Sequence, residues 1–221
     1  MISTLTYLFR QIFEIDEVQS KGLKRKAYMS ETPSLYDTSL HFAMQVHKHQ
    51  TRKGKDTPYI VHCIDVAGLL ASVYDDEELV AAGLLHDTVE DCVPYGSVTI
   101  PLLIAITGSS RVGRMVGDVT EQNKSLPWKE RKRLAIEHIA VMEEDSVLLK
   151  TADIVSNLSE LVRDCQEGNV EHVFTRFSAS KALSVESYQR RLDALILRWA
   201  ANPLLAQLGE KVEELHRVAR V

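Results

Sequence analysis

Cysteine is scarce in this chain: three residues in 221, Cys63, Cys92 and Cys165, lie far apart with no Cys-x-x-Cys pair. An odd, scattered set excludes a disulfide framework and points to a reducing compartment. Cys63 and Cys165 fall in apolar helical patterns and are expected to be buried thiols. No apolar run is long enough to span a bilayer. The opening stretch from Met1 to Phe9 is apolar but short, without a basic start or a small-residue cleavage site, so no signal peptide is expected. The cytoplasm is therefore the default location, with no membrane partner. Positive charge is in deficit: 26 Lys and Arg against 31 Asp and Glu leave a formal net charge of -5. That disfavours a nucleic-acid partner but allows a local basic pocket for a small anion. Repeats, low-complexity segments and a regular series of strands are absent as well.

What remains is helix after helix, and the expected fold is all-α. Residues 1–33 read as an N-terminal extension. Ile2, Leu5, Leu8, Phe9, Ile12 and Phe13 recur at helical spacing ahead of a basic patch from Lys21 to Lys26. The extension is expected to be dispensable, or translation to begin at Met29. Residues 34–166 form the expected core, and residues 167–221 are helices packed on it. Leu40, Ala43, Met44 and His47 mark one helical face, and the spacing predicts a second helix from Ile60 to Tyr74. Asp75 and Asp76 can cap a third helix carrying Leu79, Val80 and Leu84. Two short helices joined by the turn at Gly108 and Ser109 follow, then one that Pro127 opens. A helix from Val147 to Cys165 closes near Gly168, and two more run from Glu171 to Ala201 and from Pro203 to Arg220. In the last, Leu204, Leu205, Leu208, Val212 and Leu215 form a stripe expected in the core, with a dimer face in a homo-oligomer as the alternative.

The most informative stretch is His86-Asp87-Thr88-Val89-Glu90-Asp91, which follows the apolar run Val80 to Leu85. Burying four ionisable side chains costs too much without partners, and a cation supplies one. Where the helix ends, His86 and Asp87 can reach one ion together, with Glu90 and Asp91 beyond them towards a substrate. Imidazole nitrogen with carboxylate oxygen suits Mn, Fe, Zn or a related divalent ion. Two ligands do not fill a coordination sphere. His62 and Asp153 each interrupt another apolar helix, and Asn157 lies one turn after Asp153. The other histidines, including His41, His47 and His138, read as surface or packing residues.

On these residues the chain resembles the HD superfamily, and within it the hydrolase domains of RelA/SpoT homologues and small alarmone hydrolases. Arg52-Lys53-Gly54-Lys55-Asp56-Thr57-Pro58-Tyr59-Ile60-Val61-His62 is similar to the family's opening motif. Leu84 to Asp91 matches its central motif, Val119-Thr120-Glu121 the end of a helix, and Leu149-Lys150-Thr151-Ala152-Asp153 with Asn157 its last metal motif. Two departures stand out: Cys63 replaces the proline after the first ligand. Ile154 and Ser156 replace the Arg and His of Lys-Leu-Ala-Asp-Arg-x-His-Asn.

The resemblance implies an HD-domain helical bundle holding Mn2+ through His62, His86, Asp87 and Asp153. It implies removal of pyrophosphate from the 3′ position of (p)ppGpp-type nucleotides. Glu90 and Asp91 would position or activate water, Arg52 would bind pyrophosphate, and Lys53 and Tyr59 would face the nucleotide. Asn157 would hydrogen-bond near the 3′ side of the ribose. The departures leave guanine and adenine alarmones both open. Another HD activity, such as a nucleotidase or an NADPH phosphatase, is the alternative, or a non-catalytic nucleotide-binding or antitoxin-like module. The stretch after Asp164 is too short for a synthetase domain.

Overall fold

The computed structural model describes residues 33–91, 98–121 and 123–220, with the backbone alone at 90 and 91. Cys92 and residues 1–32, with the question of Met29, lie outside these. Eleven helices make up the described chain: α1 Leu35–Val46, α2 Ile60–Ala71, α3 Glu77–Leu85, α4 Thr88–Asp91, α5 Ile100–Thr107, α6 Ser110–Val119, α7 Trp128–Ile139, α8 Glu144–Glu167, α9 Val170–Phe174, α10 Lys181–Arg198 and α11 Leu205–Ala219. The fold is all-α; among the described residues the sole β feature is an isolated bridge between Thr51 and Pro58. No described helix is long and apolar enough to cross a membrane.

Local chemistry sets the helix starts. The Asp76 carboxylate accepts from the amides of Glu78 (3.1 Å) and Leu79 (3.2 Å), capping α3 as expected. Ser109 Oγ caps α6 through Val112 N at 3.1 Å, on the turn after α5. Each such cap stabilises its helix by about 1 kcal/mol. One expectation needs correcting. The helix read from Glu171 to Ala201 is two helices, α9 and α10, because Ser180 caps a fresh start through Leu183 N at 3.3 Å. The intervening turn swings Arg176 onto Asp164 (2.5 Å), a contact with no signature in local periodicity.

Two apolar clusters share the long helix α8. The first joins α1, α2, α3, α5 and α6 to Leu148, Leu149 and Ala152 of α8. The second joins Ile154, Val155, Leu158, Leu161 and Val162 of α8 to α10 and α11. Leu208, Val212 and Leu215 are at most 2% exposed, so the C-terminal stripe is core. Asp153 therefore emerges where the two clusters meet. Helix α2 packs on both α3 and α8. The approach of α2 to α3 needs Gly83, where a Cβ would lie 2.9 Å from Leu70 Cδ1 and 3.0 Å from Ala67 Cα. That close crossing sets the first turn of α2 beside the end of α3.

Candidate metal centre

Each of the four expected ligands sits at a defined point of this frame. His62 is in the first turn of α2, Asp153 is midway along α8, and His86 and Asp87 occupy the turn between α3 and α4. His86 Nε2 lies 3.0 Å from Asp87 Oδ2, 3.2 Å from His62 Nε2 and 3.8 Å from Asp153 Oδ1. His62 Nε2 lies 3.5 Å from Asp87 Oδ2 and 3.4 Å from Asp153 Oδ1. Neighbouring ligands held at about 2.0–2.2 Å from one divalent ion stand roughly 3–3.5 Å apart. The donors of His62, His86 and Asp87 fit such an ion, and Asp153 Oδ1 stands beside both imidazoles. Three of the donors, on His62, His86 and Asp87, lie within 4.8 Å of one another.

The tautomers favour the same reading. His86 Nδ1 donates to the carbonyl of Gly83 at 2.8 Å, and a carbonyl can only accept. The neutral ring therefore keeps its Nε2 lone pair for the centre. His62 Nδ1 meets Ser156 Oγ at 2.9 Å. Burial alone lowers the pKa of His86, but the charges of Asp87 and Asp153 outweigh it and push it up to about 9. Burial raises the two carboxylates, but His86 and His62 hold Asp87 well below its usual range. Lys150 and the two histidines do the same for Asp153.

Around the donors runs a hydrogen-bonded support. Tyr59 Oη donates to Asp87 Oδ2 at 2.7 Å, Asn157 Nδ2 to Asp153 Oδ1 at 2.5 Å, and Lys150 Nζ to Asp153 Oδ2 at 3.1 Å. Arg52 donates to Asn157 Oδ1 (2.6 Å) and, through Nε and Nη2, to Glu160 Oε2 at 2.8 and 2.6 Å. Its guanidinium lies 5.2 Å over the Tyr59 ring, whose stack on His47 has centroids 4.9 Å apart. Arg52 is delivered by a tight loop: its amide donates to Thr57 O at 2.8 Å, and Gly54 takes a left-handed φ of 73°.

Of the residues expected to meet substrate, Tyr59 and Asn157 thus bond the expected ligands Asp87 and Asp153, and Arg52 joins them through Asn157 and the Tyr59 ring. Lys53 stands apart, its Nζ 5.8 Å from the Phe177 ring centroid. Glu90 and Asp91 lie on α4, but their side chains are outside the described set. Sequence reasoning passed over Lys150 and Glu160. Their spacing from Asp153, three residues before and seven after, puts both on the face that carries Asn157.

Three cavities near the centre share lining residues. The first, about 290 Å³, is lined by Asp87, Asp153, Tyr59, Lys150, Lys132 and Arg191 among others. The second, about 440 Å³, shares Tyr59 and Asn157 and extends to Arg52, Lys53, Phe177 and Tyr188. The third, about 280 Å³, is lined by Lys53, Arg131, Lys132 and Arg191, together with Trp128, Phe177 and Tyr188; no described carboxylate lines it. Arg191 sits with its Cζ 4.5 Å from the Tyr188 centroid. Burial and the repulsion of Arg191 lower the pKa of Lys132, although Glu121 is 3.3 Å away. In a chain of net charge -5, this concentration of cations is an anion-attracting pocket.

A family profile described as HD domain matches residues 39–182. The chain belongs to the HD domain family. Over 142 residues it is 39% identical to a Danio rerio protein named guanosine-3′,5′-bis(diphosphate) 3′-pyrophosphohydrolase MESH1, covering 63% of this chain and 75% of that one. The Homo sapiens protein of the same name is 38% identical over 146 residues, 65% of this chain and 78% of its own. A solved structure described as a metazoan ortholog of SpoT that hydrolyzes ppGpp matches with a TM-score of 0.65 and 30% identity. That match covers 85% of this chain and 97% of the other. Within this HD domain the unusual residues have definite places. Cys63 is fully buried, and Ile154, 1% exposed, belongs to the second cluster. Ser156 reaches His62.

Proposed function

We propose that the chain is a divalent-metal-dependent hydrolase that removes the 3′-pyrophosphate from (p)ppGpp-type alarmone nucleotides, with Mn2+ as its ion. The observation that carries this reading is the pair of imidazole nitrogens 3.2 Å apart, each 3.0–3.8 Å from a carboxylate oxygen of Asp87 and of Asp153, beside a cation-lined cleft. The names of the relatives supply the substrate.

His62, His86, Asp87 and Asp153 would hold the metal. When bound, such an ion lowers the pKa of a coordinated water and polarises a phosphoryl oxygen. Glu90 or Asp91 takes the proton of the attacking water. The water oxygen bonds to the phosphorus next to the ribose, the P–O3′ bond breaks, and O3′ gains a proton as pyrophosphate leaves. Arg52 offers a planar fork to the 3′ phosphates, exchanging its bonds to Glu160 for bonds to substrate. Asn157 remains the link between Arg52 and Asp153. Lys132 and Arg191 meet the 5′ phosphates, and Tyr188 and Phe177 give the base flat apolar faces. The reading places the protein in the cytoplasm, degrading alarmone in the stringent response.

A panel of (p)ppGpp, (p)ppApp, nucleoside monophosphates and NADPH tests this, with chelator and Mn2+ add-back. Metal-dependent release of pyrophosphate from an alarmone is expected. Orthophosphate from monophosphates or NADPH, with no pyrophosphate from any alarmone, would overturn it.

A further inference from the structure

The two metal-facing imidazoles are held differently on their outer edges. His86 Nδ1 faces the Gly83 carbonyl at 2.8 Å, an obligate acceptor that fixes one tautomer. His62 Nδ1 faces the Ser156 hydroxyl at 2.9 Å, and a hydroxyl can either accept or donate. Only acceptance leaves His62 Nε2 with a lone pair to point at the other donors. Among the described residues Ser156 Oγ makes no other hydrogen bond. It lines a cavity of about 600 Å³ on the outer side of α2 and α8, shared with Val61, Ile64, Asp65 and Ser159. That cavity gives the serine proton water to bond, so the hydroxyl is free to accept from the ring.

We infer that Ser156 is a positioning residue of the metal centre: its hydroxyl accepts the Nδ1 proton of His62, so that Nε2 faces the cation as a lone pair. The inference rests on the four-ligand reading above and extends it to a position where this chain departs from the resembled motif. Outer partners of metal-bound histidines orient the ring and raise its basicity, and losing one costs about 10- to 100-fold in metal affinity. Serine supplies this bond from the middle of a helix, without strain and with little volume.

The test is Mn2+ affinity, read from the signal of free aqueous Mn2+ during titration of the full chain. Ser156→Ala is expected to raise the dissociation constant by about 10- to 100-fold. Ser156→Thr, which keeps the hydroxyl, stays within about threefold of wild type, and the chelator-treated Ala variant melts where the wild type does. Wild-type affinity in the Ala variant would overturn the inference. So would equal losses in the Ala and Thr variants, which would assign the effect to volume. A wild-type chain that binds no Mn2+ would overturn the four-ligand reading itself, a result distinct from either.

Discussion

Metal binding and proton binding compete at His86, and the competition has a size. The neighbouring carboxylates push the His86 pKa up to about 9, against the effect of its burial. Below that pH the imidazole carries a proton on the nitrogen that must coordinate. A raised pKa means the protonated form is the ground state at neutral pH, so metal affinity grows as pH rises and levels off above about 9. At pH 7, about two units below, displacing the proton costs roughly 2.7 kcal/mol, a factor of about one hundred in affinity. Calorimetric Mn2+ titrations in two buffers of different ionisation enthalpy count the protons released. About one proton per ion is expected at pH 7, with affinity rising about tenfold per pH unit between 7 and 8. Binding without proton release, at an affinity flat from pH 6.5 to 8.5, would refute the reasoning.

Tyr59→Phe keeps the stack on His47 but removes the 2.7 Å bond to Asp87 Oδ2. A hydrogen bond to a charged group contributes about 1.5–3 kcal/mol, so kcat/KM should fall about 10- to 100-fold with little change in melting temperature. Arg191→Ala should raise KM about tenfold for a nucleotide bearing 5′ phosphates, as expected for the loss of one half-buried charge contact. It should leave a 5′-dephosphorylated analogue unaffected in steady-state assays. Leu158→Ala opens a cavity at a fully buried position of α8 and should cost about 2–5 kcal/mol in denaturant unfolding.

The sequence is most legible where chemistry interrupts a pattern. His62, His86, Asp87 and Asp153 stand out because each is an ionisable residue in an apolar helical run; the structure groups the first three and sets Asp153 Oδ1 beside both imidazoles. Helix starts at Asp76 and Ser109 are legible because a cap is a local event, written within three residues. What is hidden depends on residues far apart in the chain. Arg52 is read from its motif as a pyrophosphate ligand, but nothing near it in the chain shows that its bonds go to Asn157 and Glu160, more than a hundred residues on. The turn between α9 and α10 also carries Arg176 back to Asp164, a contact that no periodicity encodes. The cationic third cavity likewise needs the 51–58 loop, α7 and α10 to meet. Ser156, by sequence a departure from a motif, acquires its meaning only from the 2.9 Å contact with His62.

The central claim is that one ion sits among four side chains from α2, the α3–α4 turn and α8. Diffraction from Mn2+-soaked crystals, collected at the manganese edge, tests it most directly. The account predicts a single anomalous peak about 2.0–2.3 Å from His62 Nε2, His86 Nε2 and one carboxylate oxygen each of Asp87 and Asp153. A map with no peak between the imidazoles, and with Asp153 turned away from them, would contradict it.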